Sequence, residues 1–202
     1  MGGSEFLVDL HVHTLVKSQD SSLDPAALIR RAESEGLSAI CITDHNACWS
    51  DEETAELQKA SSLPLLRGME VGTSVGHVLA FGIPEFRREM WELDELRRAA
   101  DREGGALVLA HPLRPPAFGR SWDELPGLFE GIEMINSDES MLVVDQVREL
   151  GERYSLALTG GSDAHSVAAV GRAATVFERP VTNDEELIKA LKEGSIRPVS
   201  RA

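Results

Sequence analysis

Short apolar runs alternate with helical stretches along the whole chain, and most of the runs end on a histidine or a carboxylate. The runs are Phe6–Val8, Leu37–Thr43, Leu63–Met69, Val75–Phe81, Ala106–Ala110, Phe129–Ile135, Leu156–Thr159 and Ala173–Phe177. Nearly all are apolar at odd and even positions alike, the pattern of parallel strands covered by helices on both faces. Between them the period becomes helical: Leu28, Ile29 and Ala32; Leu93, Leu96 and Ala100 within a helix over 85–103; Val143, Val147 and Leu150; Leu187, Ile188 and Leu191. Asp24-Pro25, Ser50 with Glu53, and Thr182 with Glu185 read as helix starts, and Gly36 and Gly194 as stops. Seven or so strands that each deliver a polar group at their exit favour closure into an α/β barrel of the TIM-like kind, which collects strand ends on one rim. An open doubly wound sheet is the competitor, and it gathers ligands at one switch point.

The first run ends in Asp9-Leu10-His11-Val12-His13-Thr14. Residues two apart in a strand face the same way, so His11 and His13 converge on one point, which is metal-ligand geometry. Later exits carry Asp44 and His45, Glu70, His111, and Asp163 with His165, while His77 and Asp20 are further candidates. Imidazole with carboxylate suits zinc, manganese or iron, and no cysteine cluster points to a thiolate site. Six histidines and several carboxylates exceed the needs of one ion, so two to three divalent metals are expected. Glu70 can bridge two of them, and Asp44 is read as a group that orients His45. Gly160-Gly161 is read as a tight turn beneath Asp163 and His165.

At 202 residues the chain fits one domain over 1–202, and its formal charge of −14 argues against a surface that coats nucleic acid. Cys41 sits in an apolar run and Cys48 in a loop, so no disulfide framework is implied. With neither a signal-like start nor an apolar run of membrane-spanning length, the expected location is cytoplasmic. The oligomeric state is not read from the sequence.

The ordered set Asp9-Leu10-His11-Val12-His13-Thr14, Ser18-Gln19-Asp20-Ser21, Thr43-Asp44-His45-Asn46, Gly68-Met69-Glu70-Val71, Gly76-His77-Val78-Leu79, Ala110-His111-Pro112, Ile132-Glu133-Met134-Ile135-Asn136 and Gly161-Ser162-Asp163-Ala164-His165 resembles the PHP domain family of polymerases and histidinol phosphatases. The resemblance covers nearly the whole chain. It implies a distorted (β/α)7 barrel with a trinuclear site at the strand C-termini. Carried over by position, it implies His11, His13, Glu70 and Asp163 around a first ion. A second would lie among Glu70, His77 and His111, and a third among Asp20, His45 and His165. It also implies phosphoester hydrolysis by a metal-bridging hydroxide, with Glu70, Asp163 and His165 in catalytic roles.

The expected activity is that of a metal-dependent phosphoesterase acting on a small phosphorylated metabolite, a nucleotide or sugar phosphate. Arg114, Arg120 and Arg172 are candidates to clamp its phosphate. Trp49 and Trp122 are read as covers of the barrel mouth. An amidohydrolase-type reaction and a non-catalytic metal-binding regulatory module are the alternatives.

Overall fold

The protein is seen here in a computed structural model that describes residues 5–115, 117–137 and 140–201. Pro116 of the proline-rich loop and residues 138–139 of the loop after Asn136 lie outside the described residues. Strand β1 (Phe6–Asp9) leads through α1 (Pro25–Ser34) to β2 (Ala39–Ile42), and α2 (Asp51–Gln58) leads on to β3 (Leu65–Thr73). These three strands pair in parallel, Val8 opposite Ala39 and Ile40 opposite Leu65. Asp24 caps α1 by accepting from the Ala27 N–H at 3.0 Å, and Ser50 and Glu53 form the expected reciprocal box on α2.

The parallel expectation fails at β4 (Gly76–Phe81), which turns back from β3 through Ser74-Val75 and runs antiparallel to it. A two-residue link suffices for a hairpin but not for a crossover. The stretch after β4 is not one helix. A 3₁₀ turn at Arg88–Trp91 is followed by an extended Glu92 and then α3 (Leu93–Glu103). Strand β5 (Ala106–Leu109) pairs antiparallel with β4, and the short α4 (Leu125–Leu128) precedes β6 (Gly131–Asn136). With α5 (Met141–Tyr154) and β7 (Ala157–Gly161), the β5-β6-β7 segment returns to parallel pairing.

Two strands extend the seven staves. Strand β8 (Ala173–Phe177) lies antiparallel to β1, and after α6 (Asp184–Glu193) comes β9 (Ile196–Ser200), antiparallel to β8. The sheet order is β7-β6-β5-β4-β3-β2-β1-β8-β9. Strand β9 escapes a sequence reading because Pro198 interrupts its run, and a proline is tolerated there because β9 is an edge. The cap of α6 is Asn183, which accepts from the Glu186 N–H at 2.9 Å, while Thr182 donates to the Glu186 carboxylate.

The sheet nearly closes into a barrel. Its seam lies between β7 and the β1-β8 pair, where the described pairing is one bridge, Val12 with Ala164. Side chains supplement it: Thr175 Oγ1 accepts from the Gly160 N–H and donates to the Gly160 carbonyl, both at 2.9 Å, and Asp9 accepts from the Ser162 N–H at 2.8 Å. Val8, Leu10, Cys41, Leu66, Leu79, Phe81 and Val108 pack together with Leu187 and Leu191 of α6. Helix α6 therefore stops the barrel at its strand N-terminal end and leaves the opposite rim for chemistry. Two outer cores lie between the staves and the helices, one under α1 and one under α3 and α5.

Gly160 and Gly161 do not form the expected turn; both lie in β7. They are small because the seam is tight. A Cβ on Gly161 would stand 2.4 Å from the His11 Cβ, and one on Gly160 would stand 2.6 Å from the Ala174 carbonyl oxygen. Gly161→Ala is expected to lower stability by about 1–3 kcal/mol through overpacking, read from the denaturant midpoint at unchanged m-value.

Candidate metal centre

Six histidines and three carboxylates from six loops and strands meet on the open rim. At their centre is Glu70, 1% exposed, near the middle of β3. Its Oε2 lies 3.4, 3.3 and 2.9 Å from His11 Nε2, His13 Nε2 and His45 Nδ1. Its Oε1 lies 2.9 and 3.0 Å from His77 Nδ1 and His111 Nε2. Asp163 Oδ1 stands 3.4 and 3.2 Å from the same His11 and His13 nitrogens. Farther out, Asp20 Oδ2 is 3.1 Å from His45 Nε2 and 3.3 Å from His165 Nε2.

The proton positions on three of the rings follow from their outer partners. His11 Nδ1 meets the Glu133 carboxylate at 2.9 Å and His165 Nδ1 meets the Asp163 carbonyl at 2.9 Å; both partners only accept, so both Nδ1 atoms carry the proton. Ser18 donates its hydroxyl proton to Asp44 at 2.6 Å, so at 3.3 Å it can only accept from His13 Nδ1. In the neutral form each of the three rings turns an Nε2 lone pair toward the cluster.

His11 Nε2 and His13 Nε2 are fully buried and have no hydrogen-bond partner. Orphaned buried polar atoms are costly and call for a ligand. Donors about 2.0–2.2 Å from one tetrahedral ion lie roughly 3.3–3.6 Å apart, and the 3.2–3.4 Å edges of the His11, His13, Glu70 and Asp163 set match that spacing. Ligand atoms also gather in two further sets, Glu70 with His77 and His111, and His13 with His45 and His165. Asp20 is 57% exposed and adds its oxygen to the last of these.

Charge is balanced pair by pair. Burial pushes the Glu70 carboxyl up, but His11, His111 and His13 hold it well below the usual carboxylate range. Burial likewise opposes a charged Asp163, and His11 and His13 override it. Burial disfavours a charged His11, yet Asp163, Glu133 and Glu70 hold its pKa well above the ordinary value. Such a set exchanges its protons for cations.

The backbone is bent to aim these groups. His111 and Asp163 have φ of +24° and +52°, and Asn46, one residue past His45, has +50°. Non-glycine residues in that region cost about 1–3 kcal/mol each and gather at functional sites.

The sequence reading missed Glu133 as a site residue. It is buried in β6, holds His11 Nδ1, accepts from the His111 backbone N–H at 2.9 Å, and accepts from Asn136 Nδ2 at 3.2 Å. Its sequence signals are a lone acid inside an apolar strand and its place in the Ile132-Glu133-Met134-Ile135-Asn136 motif, to which the sequence reading attaches no role. Asp44 accepts from Thr14, Ser18 and Trp49 rather than from the His45 ring, and so braces the loop that carries His13; it reaches His45 through Ser18, which accepts from the His45 backbone N–H at 3.0 Å. Trp49 is buried against Asp44, and Trp122 packs on Phe118 with ring centres 5.3 Å apart. Arg120 is engaged by Asp94 and Glu124, away from the cluster, and Arg172 is exposed. Arg114 reaches the cluster, where it meets Asp163.

A family model described as PHP-associated matches residues 145–196. A phosphoribosyl 1,2-cyclic phosphate 1,2-diphosphodiesterase of Eggerthella lenta is 40% identical over 72 residues, 34% of this chain and 26% of that protein. A 5'-3' exoribonuclease of Haemophilus influenzae is 22% identical over 161 residues, 77% of this chain and 58% of that protein. The chain thus spans about a quarter of the one relative and just over half of the other. A two-domain protein of Bacteroides vulgatus, described as containing a predicted PHP-like metal-dependent phosphoesterase, superposes with a TM-score of 0.73 at 18% identity, covering 98% of this chain and 65% of that one. At that identity the likeness speaks for the fold.

Glu133→Gln keeps the shape but weakens the anchor on His11. It is expected to lower divalent-metal affinity about 10–100-fold, measured by competition with a chromophoric chelator, with the far-ultraviolet circular dichroism unchanged.

Proposed function

We propose that this chain, which belongs to the PHP domain family, is a phosphoesterase that uses two to three divalent ions, zinc, manganese or iron, to hydrolyse a small phosphorylated metabolite such as a nucleotide or sugar phosphate. The observation that carries the reading is the pair of orphaned imidazole nitrogens, His11 Nε2 and His13 Nε2, facing carboxylate oxygens at ligand-to-ligand spacing.

In this reading His11, His13, Glu70 and Asp163 would hold the first ion. Glu70 with His77 and His111 would hold the second, and Asp20, His45 and His165 the third. Bound divalent ions supply Lewis acidity to phosphoryl oxygens and lower the pKa of water at the centre. The chain's own part is to fix the geometry. Glu133 and Ser18 lock the His11 and His13 rings, and Glu70 sets two groups of imidazoles on opposite sides of one carboxylate. The partly exposed His45, His77 and His165 leave the cluster open on the solvent side for an ester to enter.

The net charge of −14 favours a small substrate over a nucleic-acid strand, whose backbone would need lysine and arginine contacts. The carboxylated-lysine form of amide hydrolysis has no support: Lys17, Lys59 and Lys189 pair with Glu53, Glu56 and Glu193, and Lys192 donates to the Gly104 carbonyl. No helix among the described residues is long and apolar enough to cross a membrane.

Metal-stripped protein restored with zinc, manganese or iron is expected to release phosphate from members of a panel of phosphomonoesters and to cleave diesters. Glu70→Ala is expected to abolish that turnover. Metal uptake without turnover anywhere on the panel would leave a binding role, and turnover of amides alone would replace the phosphoesterase.

A further inference from the structure

The Asp163 carboxylate is shared between two unlike neighbours. Its Oδ1 faces the orphaned nitrogens of His11 and His13 at 3.4 and 3.2 Å. Its Oδ2 is taken from the other side, by Arg114 Nη1 at 2.6 Å and Asn136 Nδ2 at 3.3 Å. Arg114 Nη2 donates to Asn136 Oδ1 at 2.7 Å, so Arg114, Asn136 and Asp163 close a hydrogen-bonded triangle. Asn136 also donates to Glu133, which holds both His11 and the His111 backbone. The triangle is therefore anchored to two other members of the cluster.

We infer that Arg114 is a positioning residue for Asp163: its guanidinium fork holds one carboxylate oxygen so that only the other faces His11 and His13. This rests on the metal-centre reading and replaces the phosphate-clamp role expected for Arg114, since the fork points at a protein carboxylate and an amide. The chemical reason lies in coordination number. A carboxylate that gave both oxygens to one ion would fill two positions and raise the four-donor set of His11, His13, Glu70 and Asp163 to five. Holding Oδ2 on Arg114 keeps Asp163 to one. The task calls for arginine, because only a planar fork meets Asp163 and Asn136 at once; a lysine ammonium supplies the charge without the geometry.

The test uses cobalt as the probe. Wild type, Arg114→Ala and Arg114→Lys are each loaded with one equivalent of Co²⁺, and the visible absorption is recorded beside cobalt stoichiometry and near-ultraviolet circular dichroism. Cobalt in a four-coordinate site absorbs more strongly than in a five- or six-coordinate one. Once Oδ2 is released in Arg114→Ala, the band is expected to weaken at unchanged stoichiometry, and Arg114→Lys is expected to behave the same way. With an active phosphoester in hand, kcat is expected to fall about 10–100-fold while KM stays nearly constant. An unchanged cobalt spectrum with a raised KM would make Arg114 a phosphate clamp and overturn the inference. So would full rescue by lysine, because charge alone would then suffice. Failure of the wild type to take up cobalt would sink the metal centre itself, a result separate from either of these.

Discussion

One buried carboxylate organises the rim. Glu70 is fully withdrawn from water, yet its two oxygens face five imidazoles brought in by the β1 exit, the β2 exit, β4 and the β5 exit. A buried ion costs several kcal/mol unless it is closely compensated, and here the compensation is the cluster itself. Histidines from distant parts of the chain tolerate each other's company at ring separations of 4.2–5.7 Å because this anion sits among them. The hairpin explains how so many reach it. Because β4 runs against its neighbours, His77 enters at the start of a strand rather than at an exit, and pairs with Gly72 across the β3 ladder.

How much of this a reader of the sequence can see depends on distance along the chain. The His-x-His pair, the strand exits and the caps at Asp24 and Ser50 are local patterns, and each appears where local rules put it. The reversal of β4 is less visible, because Val75–Phe81 is as apolar as a parallel strand would be. Glu133 and Asp44 are read poorly for another reason. A carboxylate that works through its partners is identified by what lies across the barrel, and residue 133 reaches back to residue 11. Likewise the positive φ of His111 and Asp163 leaves no mark in the residue type. Gly160 and Gly161 do leave a mark, but close approach and turning use the same residue, and only packing separates them.

The cluster is graded in depth. His11 and His13 are completely enclosed, His45, His77 and His165 are about 30% exposed, and Asp20 stands largely in solvent. The enclosed end has its rings locked by Glu133 and Ser18. At the open end, His45 is held between Glu70 and Asp20, and these carboxylates keep its pKa up although burial opposes them. Rigidity and access are thus divided between opposite ends of one array.

The seam gives the array a second meaning. Among the described residues, the segments that follow β1 and β7 meet through one bridge, Asp9 accepts from the Ser162 N–H, and Thr175 of β8 is hydrogen-bonded to Gly160 of β7, a thin stitching for a barrel wall. His11 and His13 stand on one side of that line and Asp163 on the other. Any cation held by all three is a cross-link between chain segments some 150 residues apart in sequence. A ligand that binds only the closed form stabilises it in proportion to the logarithm of its concentration. Cation supply would then set how tightly the barrel is shut, and the same atoms would serve as reaction centre and clasp.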